Sequence, residues 1–431
     1  MEVEIISKET IKPSIPTPHH LKTFKLSSLD QYRPSEYIPL ILFYTPNPTQ
    51  IDKDHLKNSL SATLNRFYPL AGRIRDKNTW VECTDEGVDY IETRIHGKLS
   101  DFTMTSDLLH KLVPVHTNLP TEVPAIVQVN FFDCGGGIAI TVCISHKIGD
   151  TSTYTTFISG WAAAARGAAE HEMVCPSFDS QTLFPVDTAS DFTGYGSSDE
   201  EESENLVTKR LVFSDASMTA LRQRIADTQT TLKYPTRVEA VSALIWKSAM
   251  EASSSKSLPQ SNDQTVETPG SVSWLRIIVN LRKKMNPPLA DSSFGNIFTG
   301  ATAKSPITCG GVELVEFVGR VRSAIQKVDG EHIKKMQDDE DFDSDFEDDH
   351  DEDNDYWLMS WCNFPLYESD FGFGKPYWVT TDAVEVLDEN DIYLLDTRVG
   401  KGVEAWIKLE EEKMAIFLNN LDILEFASIF D

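Results

Sequence analysis

From Ile138 the chain alternates strictly, with Ile138, Ile140, Val142 and Ile144 separated by Ala139, Thr141, Cys143 and Ser145. A period of two predicts a strand with two unlike faces. The preceding run from Ala125 to Phe132 also reads as extended, and Asp133-Cys134-Gly135-Gly136-Gly137 between them has the composition of a hairpin. Beyond Asp150 the period lengthens. Tyr154, Phe157, Ile158, Trp161, Ala162 and Ala165 recur at helical spacing, and Gly167 is placed to stop that helix.

A helix-like run also spans Asp54 to Asn65, followed by Arg66-Phe67-Tyr68-Pro69-Leu70-Ala71-Gly72-Arg73 and an extended segment. After Leu183-Phe184-Pro185 the composition shifts, and residues 186–205 (VDTASDFTGYGSSDEEESEN) read as an interdomain connection. Two mixed domains are expected on either side, 1–185 and 206–431. The second restarts with a strand from Val207 to Phe213, a cap at Ser214 or Asp215, and a helix through Ile225. Thr236-Arg237-Val238-Glu239 then has the form of a capping box opening a helix through Trp246. Strands follow at Leu275 to Leu281 and Asp391 to Thr397.

His146 and Asp150 fall at the junction between the alternating strand and the helix, in Ser145-His146-Lys147-Ile148-Gly149-Asp150. A helix start carries partial positive charge, which disfavours imidazolium and keeps a histidine able to accept a proton. The spacing H-x-x-x-D is weak alone, because a chain with ten histidines should hold roughly one match by chance. Two readings stay open on these residues: a general base with an aspartate nearby, or a satisfied turn histidine followed by an N-cap.

Composition narrows the classes. At 431 residues and 40% apolar content the chain can bury large cores. It has no secretory leader pattern and no apolar run long enough for a bilayer, so a soluble cytoplasmic protein without a membrane partner is expected. The six cysteines are scattered, without a C-x-x-C pair, which suggests neither a zinc site nor a disulfide framework. A formal charge of -28 argues against nucleic acid. Two runs carry most of it: thirteen carboxylates lie in 338–355 and five in 199–204, which leaves an ordinary excess of about -10 elsewhere. Asp341, Asp343, Asp345 and Glu352 match positions of a calcium loop, but Phe346 stands where its sharp turn needs glycine. A solvated acidic insertion is the expectation, and no metal site.

Tyr68-Pro69-Leu70-Ala71-Gly72-Arg73, the histidine motif, Asn280-Leu281-Arg282 and Asp370-Phe371-Gly372-Phe373-Gly374-Lys375-Pro376 occur in one order across nearly the whole chain. That set resembles the plant CoA-dependent acyltransferases called the BAHD family. Pro13-Ser14-Ile15-Pro16-Thr17-Pro18, the Lys-Ile inside the histidine motif, and Ser360-Trp361-Cys362 are most similar to its vinorine synthase-like branch. The resemblance implies an α/β, chloramphenicol acetyltransferase-like fold of two domains with a channel between them. It implies acyl-CoA, acetyl-CoA by branch, as cosubstrate, a small-molecule alcohol as acceptor, no permanently bound cofactor and a monomer.

It also implies residue roles. His146 is the general base. Trp361 is an oxyanion donor or, equally, a core aromatic, with Met359 where some relatives carry threonine. Asp150 braces the site by pairing with Arg282, and Asp370, Gly372 and Gly374 form a structural loop in which Phe373 replaces the usual tryptophan. Lys247, Ser248, Lys283 and Lys284 are candidates for the CoA phosphates because an acidic protein must meet them with local cations or N–H groups. The alternatives are a benzoyl or hydroxycinnamoyl donor, an amine acceptor, or a catalytically silent member that binds partners.

Overall fold

The computed structural model describes residues 2–45, 52–75, 79–101, 106–114, 122–134, 136–186, 205–228, 234–256, 272–307, 312–338 and 354–430. Most of the connection 186–205, the acidic run 339–353 with its calcium-loop positions, Gly135 and Cys309 lie outside them. The described chain forms two compact units. The first comprises residues 1–200, 285–298 and 364–386, and the second 201–284, 299–363 and 387–431.

The first unit is built on a six-stranded mixed sheet in the order Val3–Ile11, Val88–Lys98, Ala125–Cys134, Ile138–Ser145, Tyr37–Tyr44, Trp378–Thr380. A three-stranded sheet of Thr23–Lys25, Trp80–Glu82 and Arg73–Arg75 accompanies it. Ile138–Ser145 is antiparallel to both its neighbours, Ala125–Cys134 and Tyr37–Tyr44. Every one of its eight residues is buried, including the face of small polar residues. That face is tolerated inside because its hydroxyls are satisfied: Thr141 Oγ1 donates to the Leu112 carbonyl at 2.8 Å and Ser145 Oγ to that of Ser35 at 3.0 Å. Alternation therefore reports two chemistries here, not one wet side.

Helix Thr151–Ala165 follows, capped by Asp150 and closed by Arg166 and Gly167, whose φ of +70 suits a residue without Cβ. It packs against helix Lys53–Leu64, and the Trp161 indole donates to the Leu56 carbonyl at 3.2 Å. The segment 285–298 joins this unit through the start of the same helix: Ser152 Oγ donates to the Asp291 carbonyl at 2.8 Å, and the Gly295 N–H donates to Thr153 Oγ1 at 3.0 Å.

The Asp370–Gly374 loop, placed by chain order in the C-terminal domain, lies in the first unit. The reason is strand pairing, since Trp378–Thr380 adds to the edge of Tyr37–Tyr44 and Trp378 stacks on Phe43 at 5.0 Å.

The second unit holds a seven-stranded mixed sheet ordered Phe298–Pro306, Val272–Asn280, Asp355–Ser360, Asp391–Asp396, Val403–Glu410, Leu206–Phe213, Ser428–Phe430. The Thr236 capping box forms as its spacing predicts, with the Glu239 N–H donating to Thr236 Oγ1 at 3.2 Å and the Thr236 N–H to Glu239 Oε2 at 2.7 Å. The helix it opens runs to Lys256, ten residues past Trp246. Among the described residues no helix is long and apolar enough to cross a membrane, and no group of three or more His, Cys, Asp or Glu could hold a metal.

Candidate active site

His146 stands in the turn just past Ser145, where the strand ladder ends. Its own N–H still donates to the Glu36 carbonyl at 2.8 Å, so the turn stays stitched to the segment that leads into Tyr37–Tyr44. On its other side, Asn296 Nδ2 donates to the His146 carbonyl at 2.8 Å. Asn296 is itself fixed by Asp30 Oδ1, which accepts its backbone N–H at 2.7 Å and its side-chain Nδ2 at 2.9 Å. Asp30 is fully buried and also serves the Ser27 capping box. Burial pushes its carboxyl up while Ser27 and Asn296 pull it back.

The imidazole is half-buried. Its Nδ1 is shielded and has no hydrogen-bond partner, and its ring lies 5.8 Å from that of Phe298. Burial, with Arg33 as a secondary cause, pushes its pKa down to about 4, against a smaller upward pull from Asp150. At neutral pH the ring is uncharged and able to take a proton. The neighbouring Lys147 ammonium is also buried. It donates to the Gln31 carbonyl at 3.0 Å, and burial pushes its pKa down to about 8.

Asp150 is the N-cap of Thr151–Ala165: Oδ1 accepts the Thr153 N–H at 3.0 Å and Oδ2 the Ile297 N–H at 3.0 Å. The cap reading of the sequence thus holds for this aspartate. Arg282 is fully buried, and its backbone N–H donates to Asn280 Oδ1 at 3.0 Å, so the Asn-Leu-Arg motif closes on itself. Trp361 is buried just past strand Asp355–Ser360, edge-on to Tyr393 at 5.7 Å.

Asp370 Oδ1 accepts the N–H groups of Gly372 and Gly374 at 2.8 and 2.9 Å, while its carbonyl accepts from Arg166 at 2.9 Å. Phe373 meets Tyr44 edge-on at 5.0 Å, and the Tyr44 hydroxyl donates to the Ser369 carbonyl at 2.8 Å. An aromatic ring suffices for that packing. Of the four phosphate candidates, Lys284 donates to the Ile325 and Val328 carbonyls at 2.8 Å each, which caps helix Leu314–Lys327, and Lys247 is paired with Glu251 at 2.6 Å. Lys283 is exposed, and the Ser248 hydroxyl is buried without a hydrogen-bond partner.

Sequence reasoning missed Asp30, Arg33, Asn296 and Phe298. Only Asp30 carried a local signal, the Ser-x-x-acid spacing of a capping box being present as Ser27-Ser28-Leu29-Asp30.

The structure thus places a half-buried histidine at a strand exit, on a scaffold of two mixed α/β units. The sequence pattern of the Transferase family matches residues 1–424, and this chain belongs to that family, the BAHD acyltransferases. It is 40% identical to the (13S,14R)-1,13-dihydroxy-N-methylcanadine 13-O-acetyltransferase AT1 of Papaver somniferum over 97% of each chain. It is 37% identical to salutaridinol 7-O-acetyltransferase of the same plant over 98% of each. The crystal structure of vinorine synthase is similar with a TM-score of 0.83, 32% identity and 99% of each chain covered. That of F. sporotrichioides TRI101, complexed with coenzyme A and T-2, has a TM-score of 0.72 at 18% identity over 94% of this chain and 99% of that one. The fold is thereby the two-domain, chloramphenicol acetyltransferase-like one that the motifs implied.

Proposed function

We propose that this protein transfers an acetyl group from acetyl-CoA to a hydroxyl of a plant specialised metabolite of alkaloid or terpenoid type, as a cytoplasmic monomer, with His146 as the general base. The observation that carries the reading is the His146 turn, held by its backbone on both sides, in a chain alike over its whole length to O-acetyltransferases. The thioester is already activated, so what the protein must supply is a deprotonated and aligned acceptor.

In this reading His146 removes the acceptor's proton as the oxygen attacks the thioester carbonyl in a ternary complex. The Trp361 indole N–H steadies the oxyanion, a role for which a donor-only group is suited. As the carbon–sulfur bond breaks, the imidazolium returns its proton to the leaving thiolate. A thiol ordinarily holds its proton up to pH ~8.5, so an imidazolium that burial disfavours gives its proton readily to the departing thiolate. Asp150 and Arg282 belong to the architecture of this site as a proposed pair, and Lys283 and Ser248 are the phosphate contacts that the proposal retains.

Purified protein incubated with acetyl-CoA and a panel of alkaloid and terpenoid alcohols should release free CoA. His146→Ala should slow that release by roughly 10²- to 10⁴-fold, the usual worth of a general base. Release at the wild-type rate by His146→Ala would overturn the mechanism, and turnover with benzoyl-CoA alone would overturn the donor.

A further inference from the structure

Arg33 has no part in the roles assigned so far, yet it is built into the wall of the base. Its N–H donates to the Asp30 carbonyl at 3.1 Å at the end of the turn Ser28–Gln31. The segment around it is tied to the strand exit at three points: Lys147 Nζ on the Gln31 carbonyl, Ser145 Oγ on that of Ser35, and the His146 N–H on that of Glu36. Those ties leave little freedom for Arg33 relative to His146. Its guanidinium carbon lies 4.4 Å from the centre of the Phe298 ring, whose centre is 5.8 Å from that of the imidazole. Phe298 thus touches both the cation and the base. A guanidinium is weakly hydrated and remains charged at any working pH, which suits it to an aromatic face where an ammonium would lose more water.

The charged groups that act on the imidazole are Arg33, which opposes its protonation, and Asp150, which favours it. Asp150 Oδ1 accepts the Thr153 N–H and Oδ2 the Ile297 N–H. The adjacent Lys147 feels Asp30, Arg33 and Glu36. We propose that Arg33 is a positioning residue for the transfer reaction, its charged guanidinium on Phe298 setting the wall against which the imidazole rests. The inference rests on His146 as the base, and it adds a second determinant of that base's protonation besides burial.

The test is a proton titration read by ¹H–¹³C NMR on the full chain, which needs no acceptor. The chain has ten histidines, and the His146 signal is the one lost in His146→Gln. Near-ultraviolet circular dichroism on the same samples restricts the comparison to pH values at which both chains are folded. In the wild type the ring should stay neutral through pH 5.5. In Arg33→Met, which keeps the apolar stem and removes the charge, the midpoint should rise measurably, because a like charge that opposes protonation is gone. Arg33→Lys, which restores a charge, should bring the midpoint back towards the wild type. If Arg33→Met does not fold, Arg33→Gln gives the same readout. A midpoint unchanged by loss of the charge in a folded chain overturns the inference. Wild-type CoA release by His146→Ala would instead overturn the base, so the two failures are told apart.

Discussion

A single amide holds the His146 carbonyl from 150 residues away in sequence, and Asp30 holds that amide in turn. Asn296→Ala should strand the His146 carbonyl, while the Asp30 carboxylate keeps the backbone N–H of residue 296 and its Ser27 donors. The expected cost is about 1–3 kcal/mol for the carbonyl left without its donor, read as a lower urea midpoint. If His146 is the base as proposed, the remaining folded enzyme should also show a lower kcat, because the turn that carries it is no longer pinned. A second expectation concerns acid. The pKa of His146 in the folded chain, about 4, lies below its ordinary value of 6.5. The unfolded chain therefore binds this proton first: stability is intact above about pH 6.5 and declines as pH falls from there towards 4. His146→Gln, which cannot charge, should lose less stability between pH 7.5 and pH 5 than the wild type in urea titrations at each pH. The position of His146 at the strand exit was legible in the sequence, through its place between two periodicities. Its partners were not, because Asp30, Arg33 and Asn296 reach it by tertiary pairing, and no local spacing encodes a contact between residues 30, 146 and 296.

At the level of elements, local signals served well wherever a cap or a turn is made by neighbours. The Thr236 capping box, the Gly167 stop and the Asp150 cap all formed where the residues indicated. The strand ending at Ser145 was located correctly but its two faces were not equally predictable, since hydroxyls can be buried when a carbonyl waits for each. Asp150 does more than a cap requires. Asp150→Ala should cost about 1 kcal/mol for the helix start, and about 1–3 kcal/mol more for the buried Ile297 N–H that loses its acceptor. A thermal melt would detect a sum of that size. In the loop 370–374, a Cβ on Gly374 would meet nothing within 4 Å, yet its φ is +106. Gly374→Ala should thus destabilise by about 1–3 kcal/mol through backbone strain alone, with KM for both substrates unchanged if the loop is only structural.

For the molecule as a whole, most of the acidic surplus sits in two short stretches of sequence. The ends of the 338–355 run are structural: Asp355 pairs with Arg276 at 2.7 Å and starts strand Asp355–Ser360, and the Asn354 carbonyl accepts from Ser273 Oγ at 3.1 Å. Replacing 339–353 with a short Gly/Ser linker should leave turnover within about twofold and raise the isoelectric point, whereas removing Asp355 as well should lower the melting temperature, since a buried arginine would lose its partner. Composition marks such a run readily. It cannot mark which carboxylate of the run enters a strand, because one aspartate more or less looks the same in a string.

The first unit's division into 1–200, 285–298 and 364–386 bears on how the protein is made. A ribosome emits the chain in order, at roughly 5–20 residues per second. His146 is synthesised long before Asn296, Ile297 and Phe298, and the edge strand Trp378–Thr380 arrives later still. The nascent first half is therefore a sheet awaiting its last strand and a histidine turn awaiting its clasp. Expressed alone, a fragment ending near residue 200 should behave as an incomplete template, and a second fragment carrying the remainder should be required for the histidine turn to close.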